Sequence, residues 1–87
     1  MSFSQLSNSK EKVISQQWTA HTGNNSLSYA ITVATASQLQ NNNITVTEGG
    51  QDVYNWTIVG TSLVFDVNPP NGNTIILTIT GNAGAAG

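Results

Sequence analysis

Large apolar residues recur at every second position along the C-terminal half of the chain: Tyr54, Trp56 and Ile58, then Leu63, Phe65 and Val67, then Ile75, Leu77 and Ile79. A period of two is the mark of a β-strand, whose successive side chains point to opposite faces. Gly60-Thr61 breaks the first run from the second, and Asn68-Pro69-Pro70-Asn71-Gly72-Asn73 the second from the third. Both breaks hold residues that turn the backbone at low cost, so the spacing predicts three strands with their turns. Upstream, Ile14, Gln16, Trp18 and Ala20 share one side of a first strand running from Val13 to about Ala20. Leu27, Tyr29, Ile31 and Val33 alternate with the small residues Ser28, Ala30, Thr32 and Ala34, which predicts a half-buried strand. Ile44 to Thr47 reads as a short strand, followed by a hairpin connection over Glu48 to Asp52. Ala34 to Gln40 is expected to be loop, because Asn41-Asn42-Asn43 closes it before two helical turns accumulate.

Six strands joined mostly by turns predict an all-β fold, a small antiparallel β-sandwich or barrel. Its expected core is Trp18, Tyr29, Ile31, Trp56, Phe65, Leu77 and Ile79. Residues 1–11 read as an extended N-terminal arm in which Phe3 and Leu6 are isolated apolar points, and so the candidate partner contacts. The domain proper is expected over residues 12–80. Residues 81–87 form a Gly/Ala-rich tail with no side chain large enough to anchor a core.

Composition changes the picture in one respect. Charged residues make up only 7% of the 87-residue chain, against roughly 25% in an ordinary soluble domain. Asn, Gln, Ser and Thr supply the polarity without the Lys and Glu side chains that commonly guard strand edges. Such a surface tolerates close and permanent neighbours, and a small domain near the stability margin gains from them; it also suits a Thr-rich monomeric β-protein. The expectation is assembly into a homo-oligomer. Lys10 and Lys12 are the only cationic side chains apart from the single histidine, so a nucleic-acid backbone finds little to pair with. No apolar run approaches the ~18 residues of a membrane span, and Met1 to Leu6 lacks the basic start and apolar core of a secretory signal. Neither nucleic acid nor membrane is an expected partner.

Candidate chemistry is sparse, and each case has a plain structural reading. His21 is the sole imidazole, sits in a turn composition, and has no orienting acid or nucleophile suggested by spacing. Asp66, Asn68, Asn71 and Asn73 bring calcium-type oxygens near one turn, but Asx side chains cap turns by bonding their own backbone. Glu48 and Asp52 flank Gly49-Gly50 too closely to face each other across a substrate. Trp18, Trp56, Tyr29 and Tyr54 would make a sugar-stacking platform only by stripping most aromatic mass from the core. The expectation is a protein that is not an enzyme and has no cofactor and no metal site.

The order Gly49-Gly50-Gln51-Asp52-x-Tyr54, Trp56-Thr57-Ile58, Gly60-Thr61, Leu63-Val64-Phe65, Pro69-Pro70-x-Gly72, Thr74-Ile75-x-Leu77 resembles a short β-module of tailed-bacteriophage virion proteins, above all tail fibres. The resemblance covers about residues 44–80. It implies a structural virion protein made in the host cytoplasm. A free-standing copy with an arm and a small-residue tail looks more like a capsid decoration (cement) protein than a complete fibre. Such proteins commonly trimerise on the shell, so the implied partners are other virion subunits, the major capsid protein first, and the implied location is the capsid surface. A tail-fibre or attachment component and a carbohydrate-binding module are the alternatives.

Overall fold

The computed structural model describes residues 12–21 and 27–81. The expected arm with Phe3 and Leu6, the greater part of the turn after His21, and residues 82–87 of the tail lie outside the described residues. Two antiparallel sheets enclose one apolar layer. The first contains β1 (Lys12–Thr19), β7 (Thr74–Gly81), β3 (Asn43–Glu48) and β4 (Gln51–Val53), side by side in that order. The second contains β2 (Ser28–Ala30), β6 (Ser62–Phe65) and β5 (Trp56–Val59). A short helix, α1 (Ala36–Asn41), connects β2 to β3. The expected all-β antiparallel sandwich is the observed architecture.

β7 organises the larger sheet because its sequence suits both faces. Ile75, Leu77 and Ile79 are fully buried, while Thr74, Ile76, Thr78 and Thr80 line the opposite face. The strand is almost wholly β-branched, which favours a pleated surface packed on both sides. Its inner residues stand in register with Trp18, Gln16 and Ile14 of β1, and with Glu48, Val46 and Ile44 of β3. From the other sheet Tyr29, Leu63 and Phe65 close down on them. Tyr29 meets Phe65 edge to face, with ring centroids 5.8 Å apart, an arrangement that adds to plain area burial.

Two turns carry the register. Gly49 and Gly50, at φ 57° and 89°, form the two-residue link between β3 and β4, where both central positions need the left-handed region. The expected hairpin connection is closed by a two-residue turn, with Glu48, Gln51 and Asp52 already in the paired strands. Gly60-Thr61 joins β5 to β6 in the same two-residue way.

The strand count is seven rather than six among the described residues, and the differences have local causes. The expected run through Tyr54, Trp56 and Ile58 is cut: β4 ends at Val53, and the chain crosses from one sheet to the other through Tyr54 and Asn55 before β5 begins. Tyr54 is consequently 82% exposed. Val67 keeps the period but lies beyond the end of β6, and it too is exposed. Of the expected strand over 27–34 only Ser28–Ala30 is strand, flanked by bonds from Phe65 N–H to Leu27 C=O and from Ile31 N–H to Thr61 C=O, with Leu27 and Val33 partly open to solvent.

Ala36 to Asn41 is helix where loop was expected. Thr35 Oγ1 accepts from the Gln38 backbone N–H (3.1 Å), and Gln38 Oε1 accepts from the Thr35 N–H (2.9 Å), a complete capping box. At the other end Asn41 and Asn42 donate side-chain amides to the carbonyls of Ser37 and Gln38. The asparagines that suggested a break therefore satisfy the last turn. The helix buries Leu39 in the core, whose burial holds the short element in place.

All seven expected core residues pack inward, with one qualification of degree. Tyr29, Ile31, Phe65, Leu77 and Ile79 are buried, whereas Trp18 and Trp56 are half-buried against the core. Ala20, Leu39, Val46, Leu63 and Ile75 complete the buried set. Phe65→Ala is expected to cost about 3–5 kcal/mol, which is most of the stability a domain of this size has. Urea unfolding followed by tryptophan fluorescence checks this; a loss below about 1 kcal/mol would mean that the two sheets do not depend on a shared core.

Candidate functional site

Polar side chains stitch the two open edges of the sandwich. At one edge the Gln16 amide faces β2: Nε2 donates to the Ala30 carbonyl (3.2 Å) and Oε1 accepts from the Thr32 N–H (2.9 Å). Trp18 Nε1 donates to the same carbonyl at 3.1 Å. Gln16 acts as a side-chain peptide group lying along an unpaired strand edge, which is the reason an amide occupies the inward face of β1. At the other edge Trp56 Nε1 donates to Val53 C=O at 2.7 Å, across the point where the chain changes sheets. Among the described residues no buried side-chain nitrogen or oxygen lacks a partner.

The outward faces of both sheets are nearly free of charge. On the larger sheet, Ser15, Thr78 and Thr45 form one cross-strand row, and Gln17, Ile76 and Thr47 the next. On the smaller sheet the corresponding rows are Ser28, Val64 and Thr57, then Ala30, Ser62 and Val59. Asp52, paired with Thr47, is the one carboxylate in these rows.

The two ends of the sandwich differ. Lys12 is paired with Gly81, so β1 starts and β7 finishes side by side at one end. α1 lies between strand ends there as well, since it runs directly into Asn43, which is paired with Thr80. Toward the opposite end lie Glu48 and Asp52 of the β3–β4 hairpin, and Asp66, whose N–H donates to Asn55 C=O at 2.9 Å. Charge is thus separated along the long direction of the strands, with the carboxylates of the described residues away from the chain's entry and exit.

The sequence candidates for chemistry fall apart in space. His21 packs its ring on Tyr29, centroids 4.8 Å apart, and its backbone N–H donates to the Tyr29 hydroxyl at 3.2 Å. It is a turn residue that finishes an aromatic stack running through Tyr29 to Trp18 and Phe65. Asn73 supports the turns: its carbonyl accepts from Ala20, its N–H donates to Pro70 C=O, and its side chain lies against Gly49. Among the described residues no group of three or more His, Asp or Glu side chains converges, at Asp66 or elsewhere. Glu48 and Asp52 sit one residue apart along the hairpin ladder, on opposite faces of the sheet. Of the four aromatic residues considered for a sugar platform, Tyr29 is buried, Trp18 and Trp56 close opposite edges with their rings against the core, and only Tyr54 stands free. Phe3 and Leu6 lie outside the described residues.

Comparison of the chain with models of protein families, with curated protein sequences and with solved structures finds no match.

Gln16→Ala and Trp56→Phe test the seams. Each removes side-chain donors from a backbone carbonyl at a different edge, and each is expected to destabilise by about 1–2 kcal/mol. The sites share no partner, so the double variant is expected to show the sum within about 0.5 kcal/mol. Chemical unfolding of the three variants measures this, and strong coupling between them would show that the edges do not act independently.

Proposed function

We propose that the chain is a structural virion protein of a tailed bacteriophage, a capsid decoration (cement) protein that binds between capsomers and stabilises the shell. The observation that carries the reading is the polarised build of the sandwich. Two nearly uncharged faces are offered for lateral contact, and the start of β1 and the end of β7 lie together at a single end, away from the carboxylates of the described residues. A protein that holds neighbouring subunits together needs close-fitting neutral surfaces, because each unpaired charge buried at a contact costs several kcal/mol. It also gains from segments that reach beyond the body. In this reading residues 1–11 lie on the major capsid protein with Phe3 and Leu6 as anchors, and the hairpin end faces outward. The role has no covalent step and takes no cofactor, metal, nucleic acid or membrane.

One observation favours a second reading, a tail-fibre or other attachment component. Asp66 extends the β5–β6 ladder by one residue, which sets Tyr54 and Val67 at the mouth of that strand pair, both exposed beside a carboxylate. An exposed aromatic with an acidic neighbour is suited to contact with a host surface.

Quantitative mass spectrometry of purified particles separates the two. A cement protein is expected at copy numbers comparable to the major capsid protein, and an attachment component at a few copies per tail. For the cement reading, the Phe3→Ala, Leu6→Ala double variant is expected to bind undecorated capsids about 30-fold or more weakly, since two buried apolar side chains contribute roughly 2–4 kcal/mol. Equal binding by the variant would remove the arm from the interface.

A further inference from the structure

We propose that β1 is a homodimerisation edge: two copies join by antiparallel β1–β1 pairing about a twofold axis at Gln16, making one continuous eight-stranded sheet. The argument starts from the direction of backbone groups. Ala20 N–H donates to Asn73 C=O and Gly49 N–H donates to Thr74 C=O. With the registers of β1 and β3 on β7, these bonds turn the even-numbered residues of β1 toward β7. The N–H and C=O groups of Val13, Ser15, Gln17 and Thr19 therefore point away from the sheet. No described residue bonds them, and their side chains are exposed.

The other three edges offer much less. By the same parity β4 presents only Asp52, a charged residue, and β5 presents Trp56 and Ile58. On β2 the outward Ala30 C=O and Thr32 N–H are already taken by Gln16 and Trp18. β1 is eight residues long with an uninterrupted register, and from Val13 to Thr19 it contains no charge, proline or glycine. Exposed edges of this kind are normally blunted by lysine, proline, a bulge or shortness; none of these interrupts Val13 to Thr19.

A row of unpaired backbone groups is recognised by another β-strand, and the pattern selects a second copy of this one. Antiparallel pairing opposes residues of the same face, so the register must keep odd residues opposite odd. Centring the twofold on Gln16 sets Val13 against Thr19 and Ser15 against Gln17, so that every outward residue of each copy exchanges both backbone bonds and no like charges meet. On the inner face the same register sets Ile14 against Trp18, both half-buried within one protomer, and β-branched and aromatic pairs favour such cross-strand contact. Threefold edge pairing would require β1 to meet β2, β4 or β5, which run only three or four residues. A twofold therefore replaces the trimer that the resemblance implied. A single strand pairing lies at the small end of specific interfaces, so the dimer is expected to exchange with monomer as concentration falls. The inference rests on β1 alone and does not require the virion reading.

Sedimentation equilibrium of the full chain, with amide exchange, tests it. The wild type is expected to show a monomer–dimer equilibrium, and the amides of Val13, Ser15, Gln17 and Thr19 to exchange more slowly as concentration rises. The S15K/Q17K and S15E/Q17E variants place like charges directly opposite and are each expected to dimerise roughly 100-fold more weakly. An unchanged Tm in each variant shows that folding is intact, and an equimolar mixture of the two is expected to restore the dimer. A wild type that stays monomeric at millimolar concentration, or forms trimers, overturns the proposal. So does a dimer indifferent to both variants, or protection of the four amides only when capsids are added, which would assign the edge to a shell strand. If both variants unfold, the concentration dependence of the wild-type amides still decides.

Discussion

The inner face of β7 is the constraint on which the rest of the molecule depends. Ile75, Leu77 and Ile79 lie between β1 and β3 and under the rings of the smaller sheet, and each is fully buried. Strand side chains alternate with a period of two, so a slip of one residue along either neighbour would turn its apolar set outward. Ile14 and Trp18 would then leave the core on one side, and Ile44 and Val46 on the other. On the β3 side the register on β7 is held at the hairpin end by Gly49, whose N–H donates to Thr74 C=O. At the start of β7 the register of β1 is held by Ala20, whose N–H donates to Asn73 C=O and whose C=O accepts from Gly72 N–H.

Around that layer the chain uses neutral polar groups where larger proteins commonly use charge. The Gln16 amide, the two indole N–H groups, and the amides of Asn41 and Asn42 each satisfy backbone groups that would otherwise stand open at a sheet edge or a helix end. Hydrogen bonds of this kind contribute modestly when made and cost more when a partner is lost. They leave the outer faces with almost no electrostatic repulsion toward a neighbour. The same choice leaves the long edge of β1 without charge, proline or glycine from Val13 to Thr19, the edge on which the proposed dimer rests.

The proposed function rests on surface and layout. The residues that invite chemical readings are explained by packing: His21 by its ring contact with Tyr29, Asn73 by the two turns it holds, and Trp18 and Trp56 by the seams they close. The outward rows of Ser, Thr and Val, together with the start of β1 lying beside the end of β7, are the observations behind the proposal of a body held among other subunits.

The alternation through Leu63 and Phe65 and through Ile75, Leu77 and Ile79 was enough to determine the fold class and most of the core, because a period of two on β-branched and aromatic residues has one economical burial. Alternation alone could not place the end of a strand. Tyr54 and Val67 keep the apolar period yet stand in solvent, because the chain leaves one sheet after Val53 and the β6 ladder stops at Phe65, and both events depend on contacts distant in sequence. The α1 signal was present in Thr35 and Gln38, three residues apart, but the asparagine run concealed it, since asparagine breaks a helix in isolation and caps it when the next strand takes the chain away. The candidate interaction edge needed the tertiary structure altogether. Which backbone groups of β1 point outward depends on its pairing with β7, and local sequence carries no record of which partner a strand will find.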